Sequence, residues 1–372
     1  MAGTIADREL NRAVRFAVAG DTDEAAIRRL LRENPMRGAV SVSFEREPDY
    51  FRGADLAGGV DQTIVAYEHH HIVCMGRCTQ RECWVDGRAT PVGYLAELRL
   101  DSSARRRFAI VRDGYRFFRE LQSGTRHFTS IASGNQRARR LLEGGARGMP
   151  AYGFLGELVT LLIAVPRRPR LPGLRVELAT TAHIPALLRV LNQHGQRHQL
   201  ATVWTAEGLH SLARHGLPLE RFLIAMDGAE IIACGALWDQ RKFRQTVVQR
   251  YEGVLGLARP LLNVSNRILG RPSLPPPGTG LAQAFLSPLA LAERTGALLP
   301  ELVEAFFPLA SASGAEWLTL ALPAGDTRLK VLRRRFTTRA WPSRLYRVSW
   351  PEQPEFEFVS PERRFLPEVA LL

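Results

Sequence analysis

The stretch Tyr94-Leu-Ala-Glu-Leu-Arg-Leu-Asp-Ser-Ser-Ala-Arg-Arg-Arg-Phe-Ala-Ile110 gathers the residue types best suited to chemistry. It reads as an alternating strand to Leu100, a polar turn, the consecutive arginines Arg105, Arg106 and Arg107, and then a helix. A strand that enters a helix through a donor-rich turn aims main-chain N–H groups and the positive end of the helix dipole at one point, which suits a phosphate. Three cations at a helix N-terminus oppose that dipole unless an anion is present, although a solvated arginine run is the plainer reading. A second unit follows: a strand from His127 to Ala132, then Ser133-Gly134-Asn135 and another helical pattern. Two such units side by side suit a phosphate-bearing ligand held between two splayed strands. Glu97, on the first strand, shares a face with Arg99 opposite Leu98 and Leu100.

The chain that must position these groups has 372 residues, which favours two domains over one. Its 45% hydrophobic and 23% charged residues are ordinary for a globular protein. The net charge of +13 is not, and it is carried by arginine, since Lys242 and Lys330 are the only lysines. Arginine binds phosphate and carboxylate bidentately, so the excess points either to an anionic ligand or to an arginine-biased composition. Cys74, Cys78, Cys83 and Cys234 are too few for a disulfide framework, which fits a reducing cytoplasm. Residues 1–15 lack the apolar core of a signal peptide, and no run reaches the roughly eighteen apolar residues of a membrane helix. A soluble cytoplasmic protein with no membrane partner is the expectation.

Hydrophobic spacing predicts a strand at 15–19, a helix over 25–31, a helical patch at 47–51, and strands at 62–68, 71–78, 83–87 and 90–100. Asp86-Gly87 marks a hairpin turn. A helix over 110–121, a strand at 127–132, a short helix over 136–142 and extended chain at 152–165 follow. Pro166 to Gly173 reads as a linker. Beyond it the order starts again: strand 174–178, helix 181–191, hairpin 222–238, helix 299–310, strand 317–322, helix 327–336 and strand 344–350. A Gly/Pro-rich insert at about 251–281 interrupts this half, and 351–372 is a C-terminal extension.

Strand, helix, hairpin, strand, phosphate turn, helix, strand, helix, strand: this order resembles the GNAT superfamily of N-acetyltransferases. The resemblance is closest over 13–165 and recurs as topology over 174–350. It implies an α+β fold of two tandem acyl-CoA N-acyltransferase-like domains, each a mixed, mostly antiparallel sheet flanked by helices. The same arrangement occurs in mycothiol synthase and N-myristoyltransferase. Family members follow the fourth strand with Arg or Gln, two residues, Gly, one residue, and Gly or Ala. Here Arg105 falls at the first position, but Phe108 and Ile110 occupy the two small-residue positions; a shift by one recovers Ala109. The resemblance therefore implies pyrophosphate binding by Arg105, Arg106, Arg107, Phe108 and Ala109, with Leu98, Arg99 and Leu100 along the thioester. The family's Asn after the fifth strand matches Asn135, with Ala138 and Glu143 at matching spacing. Leu142 replaces the Tyr that often protonates the departing thiolate, which leaves Tyr152 as a candidate acid and Glu97 as the candidate base.

The resemblance implies acyl transfer, with acetyl-CoA as co-substrate and a small-molecule or peptide amine as acceptor. A non-catalytic CoA-binding module and a basic nucleic-acid-associated protein are the alternatives; no helix-turn-helix, RNP or zinc-finger pattern supports the latter. The second half has no matching phosphate turn, with Asp326 near the Asn position and Arg333 near the Tyr position. The cysteines and His69, His70 and His71 lack metal-ligand spacing, so no metal site is expected.

Overall fold

A computed structural model describes residues 14–104, 107–122, 125–169, 172–350 and 357–372. The first half runs β1 (Val14–Val18), α1 (Glu24–Glu33), β2 (Val40–Glu45), β3 (Val60–Glu68), β4 (His71–Val85), β5 (Arg88–Leu100), α2 (Phe108–Leu121), β6 (Arg126–Ala132), α3 (Gln136–Leu142) and β7 (Ala151–Ala164). The second runs β8 (Glu177–Leu178), α4 (Ile184–Gln196), α5 (Ala206–Arg214), β9 (Phe222–Asp227), β10 (Glu230–Trp238), β11 (Gln245–Tyr251), α6 (Val254–Ile268), β12 (Thr279–Gly280), β13 (Gln283–Leu291), α7 (Leu299–Ala312), β14 (Trp317–Pro323), α8 (Arg328–Arg335) and β15 (Thr338–Ser349).

Both halves share one twelve-stranded sheet, ordered β1-β3-β4-β5-β6-β15-β7-β14-β13-β10-β9-β8. Its symmetry is that of an exchange. Each half lays down five strands, and each sends its last strand to the other: β15 pairs with β6, and β7 pairs with β14. β7 and β15 then pair with each other along their whole length at the centre. A smaller sheet, β12-β11-β2, joins the halves a second time.

Helices cover the sheet with the apolar stripes their spacing dictates: Ile27, Leu30 and Leu31 of α1, Ile110, Val111 and Phe118 of α2, and Leu299, Leu302, Val303 and Phe306 of α7 are buried. Asp86 (φ 49°) and Gly87 (φ 80°) make the tight β4–β5 turn that their sequence promised. Gly93 is required for a different reason. A Cβ there would stand 2.6 Å from Cδ2 of His127 and 3.0 Å from Sγ of Cys78.

Four expectations are corrected. Residues 47–51 are not helical. The strands at 71–78 and 83–87 are one strand, β4. Part of the 251–281 insert is a full helix, α6. β2, α5 and β11 were not anticipated at all; β2 and β11 pair with each other across about 200 residues of sequence, although Val40 to Glu45 alternates apolar and polar residues as a strand should.

Candidate acyl-CoA site

β5 and β6 pair in parallel only from Val92↔Arg126 to Leu95↔Thr129. Beyond that they separate, and a cavity of about 670 Å³ opens between them. Ala96, Glu97, Leu98 and Arg99 line one side, and Ser130, Ile131, Ala132 and Asn135 the other. β15 pairs with the far edge of β6 over the same stretch. Strands that diverge leave main-chain N–H and C=O groups without ladder partners, and here those groups border a cavity able to hold a ligand that satisfies them.

A bulge shapes the β5 wall. The β4–β5 register shifts between Met75↔Arg99 and Arg77↔Ala96, and Glu97 takes φ 55°. A non-glycine residue there is strained, and such strain concentrates beside functional sites. Charge holds it: Arg46 Nε donates to Glu97 Oε1 at 2.7 Å, Tyr50 Oη donates to Oε2 at 3.0 Å, and Arg77 lies 3.6 Å away. Burial pushes the Glu97 carboxyl up, but Arg46, Arg244 and Arg99 together outweigh it, and the carboxyl sits below its ordinary range. A carboxylate so stabilised is a weaker base than the sequence reading required.

Around Glu97 the cavity is cationic. Arg46 is 3% exposed, and its Nη2 has no hydrogen-bond partner. Arg77 also bonds Asp61. Arg99 Nη1 donates to the Leu98 carbonyl at 3.0 Å, while burial lowers its pKa. Arg244, pushed down to about 10 by burial and by Arg46, donates to the Ala370 carbonyl at 2.9 Å. The sequence reading missed Arg46, Arg77 and Arg244. Arg77 carried a signal, a charge within an apolar strand, whereas Arg46 and Arg244 lay in segments to which no element had been assigned.

The other predicted residues fall as follows. Tyr152 lines the cavity and shares a 2.5 Å hydrogen bond with the Tyr115 hydroxyl; burial and that neighbour hold its pKa well above the ordinary value. The Asn135 side chain accepts from the Ala138 N–H at 3.2 Å and caps α3 from the cavity edge. Leu98 lines the cavity, whereas Leu100 does not and packs with Ala104 and Ile110. Phe108 begins α2 and packs toward Leu142 and Ile131. Ala109 lies in the first turn of α2. Arg107 donates to Glu68 at 2.7 Å, so one of the expected phosphate cations is already paired. Arg105 and Arg106 lie outside the described residues. The second half supplies wall as well: Val248, Tyr251, Leu274 and Trp341 border the same cavity.

No family model matches the sequence, and no curated protein matches it. Solved structures do. N-myristoyltransferase from Saccharomyces cerevisiae with bound myristoyl-CoA superposes with a TM-score of 0.60 at 10% identity, covering 93% of this chain and 80% of that one. A GCN5-related N-acetyltransferase from Sphaerobacter thermophilus gives 0.52 at 13%, covering 90% and 95%. The chain has the GNAT fold. At these identities the likeness is one of fold, and it upholds the α+β tandem arrangement read from the order of elements.

Proposed function

We propose that this GNAT-fold chain transfers an acyl group from an acyl-CoA to an amine. The observation that carries this reading is the separation of β5 from β6 at Leu95 and Thr129, which opens main-chain groups onto a deep cavity. The thioester carbonyl lies along Leu98 and Arg99, where N–H donors stabilise the developing oxyanion. The pantetheine arm runs between the strands toward the N-terminus of α2, and the amine attacks directly within a ternary complex. The amine's lone pair forms the C–N bond, the C–S bond breaks, the thiolate takes a proton, and the proton shed by the nitrogen passes to water, from which the donor to the thiolate is reprotonated. Tyr152, kept protonated by burial, is assigned as that donor. Glu97 is assigned to holding Arg46 and the bulge, because its depressed pKa ill suits a base.

Acetyl-CoA is the smallest donor for this site, and the cavity favours a longer one. Its volume lies within the roughly 300–1,000 Å³ of pockets that enclose drug-sized ligands. Phe16, Ile64, Leu95, Ile110 and Phe118 line its inner part, which suits an alkyl chain. The myristoyl-CoA bound by the yeast enzyme supports the same direction. A cytoplasmic setting accords with four free, buried cysteines whose thiols burial pushes up to about 12.

Calorimetric titration with acetyl-, octanoyl- and myristoyl-CoA tests the reading, followed by thioester turnover against an amine panel. Binding that tightens with chain length and turnover with at least one amine are expected. No binding of any acyl-CoA at micromolar concentration overturns the proposal. Binding without turnover reduces the chain to a CoA-binding module, and salt-sensitive duplex DNA binding in place of acyl-CoA binding makes it a nucleic-acid protein.

A further inference from the structure

The helix α6 is amphipathic the wrong way round for a globular protein. Its inner side is polar: Asn263 exchanges hydrogen bonds with the Leu274 main chain at 2.7 and 3.0 Å, and Arg259 Nε donates to the same carbonyl at 3.1 Å. Its outer side carries Val254, Leu257, Leu261, Val264 and Ile268, spaced three and four apart along one stripe. Val254, Leu257, Leu261 and Ile268 are 80%, 84%, 77% and 80% exposed, and no residue of the helix is buried. Contiguous apolar surface of this kind marks an interaction site.

Charge selects the occupant. From 253 to 292 there is no acidic residue, whereas Arg267 and Arg271 are exposed at the C-terminal end of the helix. A second copy laid parallel would bring like charges together, and the carboxylate next to the helix, Glu252, is already paired with Arg250, which disfavours self-association. An anionic lipid surface satisfies both features, since leucines enter the headgroup–acyl boundary while arginines meet lipid phosphates. Position agrees: Tyr251 and Leu274, which flank the helix on either side in sequence, line the cavity, and Leu255 packs with them. A chain docked through α6 would open its cavity at the bilayer surface.

We propose that α6 is an interfacial helix that docks this protein on anionic membranes. This differs from spanning: among the described residues no helix is long and apolar enough to cross a bilayer. It revises the expectation of no membrane partner, and it stands whether or not the cavity transfers acyl groups.

Flotation of the full chain with phosphatidylcholine vesicles, with and without phosphatidylglycerol, is the test. Partition onto the anionic vesicles, weakened by salt, is expected. The triple variant Leu257→Ser, Leu261→Ser, Ile268→Ser should lose partition by at least tenfold with an unchanged thermal melt, because these side chains are exposed. Arg267→Gln and Arg271→Gln should each weaken it by about fivefold, and only on anionic vesicles. Failure to partition on any vesicle overturns the proposal. If light scattering then shows a dimer that the triple variant abolishes, the stripe is a seam between two copies.

Discussion

Glu97→Gln separates the two roles open to that carboxylate. Glu97 receives hydrogen bonds from Arg46 and Tyr50 and faces Arg77, all within the charged floor of the cavity. Glutamine keeps the shape but loses the charge, and its amide nitrogen must face one of two donors. Breaking a buried pair by removing one partner costs about 3–5 kcal/mol, because the remaining guanidinium stays buried without its anion. Against a typical domain stability of roughly 5–15 kcal/mol, that is a large fraction. Urea unfolding at pH 7 should show it as a lower midpoint with an unchanged slope. The acid dependence should change too. Because the folded pKa of Glu97 is lowered, its contribution is complete above the unfolded value of 4.5 and is lost as pH falls through the folded value. The variant should therefore lose less stability than the parent on acidification. A double variant, Arg46→Met with Glu97→Leu, should recover much of the loss by replacing the pair with packed apolar volume. The reasoning fails if Glu97→Gln costs less than about 1 kcal/mol, or if the folded variant keeps its stability yet loses one limb of the pH–rate profile, which would restore Glu97 as the base.

Tyr152→Phe should bind acyl-CoA as the parent does while turnover falls by at least about 100-fold, the lower range for a lost general acid; equal loss in Tyr115→Phe alone would move the role to Tyr115. His127 is buried against Phe118 and Trp350 with both ring nitrogens unpartnered, and burial lowers its pKa from 6.5 to about 4. Its folded state resists protonation, so stability is full above pH 6.5 and falls by about 3 kcal/mol as pH drops from 6.5 to 4; in His127→Leu, midpoints measured from pH 7 to 4 should decline less steeply. Gly93→Ala should destabilise by about 1–3 kcal/mol through contact with His127, and His127→Ala should relieve that cost in the double variant, as a positive coupling in a mutant cycle.

Legibility followed the range of the interactions involved. α1, α2, α7 and the β4–β5 turn were readable because each is fixed locally, by an apolar stripe or by Asp86-Gly87. The splay of β5 from β6 was readable only as a consequence of element order, and the structure supplies its cause, a pairing that stops at Leu95. Arg46 and Arg244 were illegible because each gains its role from Glu97, 51 positions from Arg46 and still further from Arg244. α6 is the opposite case. Its stripe at 254, 257, 261, 264 and 268 is plain in the sequence, but the surrounding Gly and Pro give the segment the composition of an insert. Phe108 and Arg107 show the cost of carrying a motif over whole: one packs inward and the other pairs with Glu68.

The exchange of β7 and β15 makes the second half part of the frame around the cleft. β15 holds β6 on the edge away from β5, so removing it would free β6 to follow β5 and narrow the cleft. β11 holds β2 in place, and β2 leads directly to Arg46. The second half therefore sets both the width of the cleft and the charge on its floor. Separating the halves at the 166–173 segment would leave each with an unpaired central strand edge. The first half expressed alone should accordingly aggregate or fail to bind acyl-CoA, even though it contains Leu98, Arg99, Asn135 and Tyr152, while adding the second half in trans should restore binding if the strand exchange can form between separate chains.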